Sequence, residues 1–72
     1  MTNVNKLKGK MVENEMSVAK LAVEIGMDRA TLYRKLSNNA ETLLIKEANA
    51  IVSALGLTPN EAVAIFFSQL VA

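Results

Sequence analysis

Apolar residues recur along this chain at helical intervals, and no stretch alternates with period two for long enough to propose a strand. Val4, Leu7, Met11 and Val12 form a first stripe, with Lys6, Lys8 and Lys10 around the rest of the cylinder. Gly9 lies inside that helix and weakens it by about 1 kcal/mol relative to Ala, so tertiary packing must hold it. Asn14, Glu15 and Met16 interrupt the pattern. Ser17 then stands as an N-cap before a second stripe, Val18, Leu21, Ala22 and Ile25, which Gly26 closes. Asp28 caps a third helix running from Arg29 to Ser37, and Asn38 and Asn39, which tolerate left-handed backbone, read as its exit. Leu44, Ala48, Ile51, Val52 and Leu55 define a fourth helix, ended by Gly56. The fifth has the clearest start: Thr58 as N-cap, Pro59 at the first helical position and Glu61 completing a capping box. The pattern predicts an all-α fold of five short helices, with Met11, Met16 and Met27 as core filler.

Composition narrows the function. The 72 residues make one domain, 1–72, with 51% of positions apolar and neither Cys nor His. Disulfides, thiolate metal sites and histidine catalysis are therefore excluded, and the expectation is no enzyme, no metal and no cofactor. The uncharged run from Ala62 to Ala72 spans 11 residues, short of the roughly 20 needed to cross a bilayer. The N-terminus lacks the apolar stretch of a signal peptide, so a soluble cytoplasmic protein without membrane contact is expected. Eight Lys and Arg against seven Asp and Glu leave a net charge of only +1. That surplus is uneven: residues 1–35 carry +3 and residues 36–72 carry −2.

The second and third helices, joined by Gly26-Met27-Asp28, have the spacing of a helix-turn-helix over about residues 17–37. On the third helix Leu32 and Leu36 share a core side, while Ala30, Thr31, Arg34 and Ser37 fall opposite. A small, polar face with one long Arg suits close approach to the floor of a major groove, where Arg donates to guanine and Thr meets a base or phosphate. Arg29 and Lys35 are better placed for phosphates, and the start of the second helix, Ser17 to Lys20, offers free N–H groups to an anion. The same spacing also occurs in small α-domains that touch no DNA, and +3 is a weak field for a monomer on a polyanion.

From about Leu7 to Phe67 the sequence resembles the lambda-repressor-like helix-turn-helix domains of the XRE and Cro type, chiefly those carried by phages of Gram-positive bacteria. The matching stretches are 16–22, the turn 25–28, the helix 29–36, and 55–61 running into Ile65-Phe66-Phe67. The resemblance implies a five-helix DNA-binding fold with Arg29, Ala30, Thr31 and Arg34 at base-reading positions. The chain departs from it at two places. Val18 replaces the usual Gln that holds a phosphate, and Leu43-Leu44-Ile45 occupies an entry to the fourth helix where relatives place a Ser or Thr cap. If exposed, Val18, Leu44 and Ile45 would form an apolar rim around Arg34 suited to a protein partner; alternatively, Leu44 and Ile45 turn into the core.

The chain's size further resembles the small lytic regulators of temperate phages. That resemblance implies an anti-repressor that complexes with the helix-turn-helix domain of the phage repressor protein in a lysis–lysogeny switch. The alternative is a Cro-type dimer on operator DNA. The expected contact set for DNA or the partner is Ser17, Val18, Lys20, Arg29, Ala30, Thr31, Tyr33, Arg34, Lys35, Ser37 and Asn38. In the apolar tail Val63, Phe66 and Leu70 can face the core. Ile65, Phe67, Leu70 and Val71 are candidates for an oligomer contact, a homodimer included, unless the last helix lies across two others.

Overall fold

Short helices in water are marginal, so their ends matter, and the chain supplies an oxygen at nearly every start. In the computed structural model, which describes residues 2–68, the helices are α1 (Val4–Glu13), α2 (Val18–Ile25), α3 (Arg29–Ser37), α4 (Ile45–Leu55) and α5 (Pro59–Phe66). Asn3 Oδ1 accepts from Lys6 N–H, Ser17 Oγ from Lys20 N–H, and Asp28 Oδ2 from the N–H groups of Ala30 and Thr31. Thr58 and Glu61 exchange reciprocal bonds of 3.2 and 2.9 Å, the capping box expected there. The exception is α4, whose N-cap is Leu44; with no side-chain oxygen at that position, Glu47 Oε1 accepts the Leu44 N–H at 2.8 Å.

The core joins Leu7 and Met11 of α1, Leu21 and Ala22 of α2, Leu32 and Leu36 of α3, Ile51 and Leu55 of α4, Leu57, and Ile65 and Phe66 of α5. α2 packs against both α3 and α4, and α1 packs against α5. Asn3 N–H donates to the Ile65 carbonyl at 2.6 Å and ties the start of α1 to the end of α5.

Three expectations about facing need correction. Val12 is 77% exposed, because it lies about 100° around the helix from Met11 and the seam of α1 against its neighbours is only as wide as Leu7 and Met11. On α5 the inward pair is Ile65 and Phe66, while Val63 is turned outward. Ile65 is therefore a core residue and unavailable as an oligomer contact: its side chain is fully buried. α5 ends at Phe66, and Leu70 and Val71 lie outside the described residues. At the exit of α3, Asn38 keeps φ −97°, and it is Asn39 and Ala40 that take left-handed backbone.

A Cβ added at Gly9 meets nothing within 4 Å, and the residue sits inside an exposed helical surface. Gly9→Ala is expected to stabilise the chain by about 1 kcal/mol, raising Tm in a thermal melt by roughly 4–8 °C.

Lys10 Nζ bonds Glu61 and lies 3.0 Å from Glu13, joining α1 to the start of α5. The Lys10 ammonium, and after it the Thr58 N–H, hold the Glu61 carboxyl down from 4.5 to about 2. Because the folded value lies below the unfolded one, this contribution is complete above the ordinary carboxylate range and is lost as pH falls from about 4.5 toward 2. Tm should drop through that window in wild type, and the drop should flatten in Glu61→Gln.

Candidate functional site

The geometry of α2 and α3 is set in three residues. Gly26 takes left-handed backbone, φ 68°, which ends α2 at no steric cost, and its N–H and that of Met27 return to carbonyls of the last turn. Met27 packs half-buried against the core, and Asp28 starts α3 at once by accepting two of its free N–H groups. With Leu32 and Leu36 buried beneath it, α3 keeps one face in solvent.

That face holds Arg29, Ala30, Tyr33, Arg34 and Ser37, all exposed, with Thr31 half-exposed. Arg34 Nη2 donates to Thr31 Oγ1 at 3.4 Å, one helical turn back, so the guanidinium is steered along the helix while its other N–H groups stay available. Ser17 and Lys20 are exposed at the start of α2, although Ser17 Oγ is already engaged in capping. Val18 is half-buried and packs against the core. It also lines a shallow depression with Arg29, Ala30, Tyr33 and Arg34. A second depression on the other flank of Arg34 is lined by Thr31, Arg34, Lys35, Asn38 and Thr42.

Lys35 does not stand where a phosphate contact would. Its Nζ is 2.8 Å from Glu47 Oε1 and 3.3 Å from the Thr42 carbonyl, and both side chains of the pair are largely buried. The Leu44 N–H first, and the Lys35 ammonium second, hold the Glu47 carboxyl below its ordinary range. The cations left on the α2–α3 surface are Lys20, Arg29 and Arg34, which make no ion pair among the described residues.

The expected apolar rim divides in two. Leu44 is 50% and Ile45 74% exposed, so neither turns into the core, whereas Leu43 packs against it. But Leu44 and Ile45 line a depression with Thr2, Leu43, Phe66 and Phe67, at the end of α5, instead of encircling Arg34. Phe67, half-exposed, belongs to this second patch. Glu47 and Thr42 are not among the residues the sequence pattern singles out; the signal for Glu47 is its place at the third position of a helix whose cap has no oxygen, a site that needs some other acceptor.

Among the described residues no cluster of acidic side chains could hold a metal ion, and no helix is long and apolar enough to cross a membrane. No curated protein and no solved structure matches the chain. Residues 6–66, from α1 to the last residue of α5, match the model of the Cro/C1-type HTH DNA-binding domain. The turn at Gly26, the capped α3 and its solvent face are thus parts of a helix-turn-helix, and the chain belongs to the Cro/C1-type HTH DNA-binding domain family, a family of DNA-binding regulators.

Proposed function

We propose that this chain is a phage transcriptional regulator of the modulator, or anti-repressor, type. Its α2–α3 face docks on the helix-turn-helix domain of the lysogenic repressor, covers the repressor's DNA-reading surface and shifts a lysis–lysogeny switch. The observation that carries this reading is the depression that Val18, Ala30 and Tyr33 line together with Arg29 and Arg34. Aliphatic side chains and an aromatic ring beside two Arg residues have the composition of a protein-contact surface. The supply of cations points the same way. With Lys35 turned inward, a monomer offers few charges for neutralising phosphates, which is the main source of affinity in operator binding.

One observation favours a second reading, a Cro-type dimer on operator DNA. Arg29, Ala30, Thr31 and Arg34 remain together on the solvent side of a well-capped α3, as base readout requires. In that case the half-exposed Phe67 is the natural place for the dimer contact.

A gel-shift series with operator DNA, run with and without the lysogenic repressor, separates the two. The anti-repressor reading expects the chain alone to leave the operator unshifted at moderate salt and to release the repressor from it. Val18→Glu and Arg34→Ala should abolish that release. A shift by the chain alone with steep salt dependence, in which Arg34→Ala costs about 1–3 kcal/mol and relaxes specificity at one base, would establish the Cro reading instead.

A further inference from the structure

The segment between α3 and α4, residues 38–44, is poorly made to hold itself. It turns through two successive left-handed residues that are not glycine, Asn39 at φ 58° and Ala40 at φ 59°, and Ala40 is buried. It ends at a helix cap without an oxygen, Leu44. Its own backbone bonds are two and short-range, Glu41 N–H to the Asn38 carbonyl and Leu43 N–H to the Ala40 carbonyl, and a third, Ala40 N–H to the Lys35 carbonyl, ties its start to α3.

One ion pair grips this segment from outside. Lys35 Nζ donates to the Thr42 carbonyl at 3.3 Å and to Glu47 Oε1 at 2.8 Å, and the same Glu47 oxygen accepts the Leu44 N–H at 2.8 Å. The two side chains are 19% and 17% exposed, so solvent and salt screen the pair less than they would a surface bridge. Through it α3 holds both ends of Thr42–Leu44. Thr42 in turn lines one side of the depression that contains Thr31 and Arg34.

We propose that Lys35 is a positioning residue: paired with Glu47, it fixes the 42–44 segment and so sets the outer wall of the α3 contact face, instead of meeting a ligand itself. The consequence for binding rests on the reading that the α3 face is the contact surface; the clamp itself does not. A lysine aimed at a carboxylate and a carbonyl has its charge neutralised within the fold, which removes it from the set available to phosphate or to a partner's acidic groups.

Amide hydrogen exchange of the full chain tests this without a ligand. Lys35→Met and Glu47→Gln should each speed exchange at Leu43 and Leu44 about tenfold through local opening, and the double variant should add nothing to either. Lys35→Arg should restore slow exchange, and the amides of Leu7 and Ile51 should stay at wild-type rates throughout. Equal acceleration at those core amides would make the pair a general stabiliser and overturn the proposal. So would unchanged loop exchange together with a fall of about 0.9 in the salt slope for a mixed-sequence duplex on Lys35→Met, the signature of a lost phosphate contact. Both single variants should also weaken capture of the lysogenic repressor to the same extent. Arg34→Ala keeps the two ideas apart: loop exchange at wild-type rates with repressor capture intact would refute the α3-face reading and leave the clamp standing.

Discussion

The orientation of α3 depends on the sharp change of direction between Ile25 and Arg29. A left-handed residue must end α2, and a carboxylate must start α3 two residues later. Gly26 satisfies the first demand because it has no Cβ to clash, and Asp28 the second because one oxygen reaches two orphan N–H groups. Met27 between them seals the corner against the core. Once that corner is made, Leu32 and Leu36 have one place to go, and Arg29, Ala30, Tyr33 and Arg34 are left facing solvent. The solvent face of α3 is what remains after burial is settled.

Charge is apportioned by the same packing. A net of +1 is a small surplus, and the fold spends part of its basic half internally. Lys10 joins α1 to α5 through Glu61, and Lys35 joins α3 to the start of α4 through Glu47. What reaches the surface of α2 and α3 is a sparse set of cations around small and apolar side chains. That distribution underlies the proposal of a protein partner within a family whose shared architecture is a DNA-binding one.

The features legible in the sequence are those decided within four residues of chain. The caps at Ser17, Asp28 and Thr58, the glycine stops at Gly26 and Gly56 and the succession of five helices follow from local hydrogen bonding and period. Facing at the edges of a stripe is less legible: Val12 follows its period yet is exposed, and Ile65 lies off the expected stripe yet is buried, because the packing of α1 and α5 and not the period alone sets both. Ion pairs between elements were not legible at all. Lys35 and Glu47 stand 12 residues apart, and spacing gives no reason to pair them. The sequence allows Leu44 and Ile45 to lie either exposed or in the core, but their association with Phe67 instead of Arg34 depends on where α5 ends.

Under the proposed function, the α2–α3 face is the surface through which this chain acts on a repressor. Its most direct test is amide chemical-shift mapping of the chain as the repressor's helix-turn-helix domain is added. Shifts should concentrate at Val18, Ala30, Tyr33 and Arg34, with Leu44, Ile45 and Phe67 left in place. Shifts confined to Leu44, Ile45 and Phe67, or no shift with repressor and a full set with operator DNA, would contradict it.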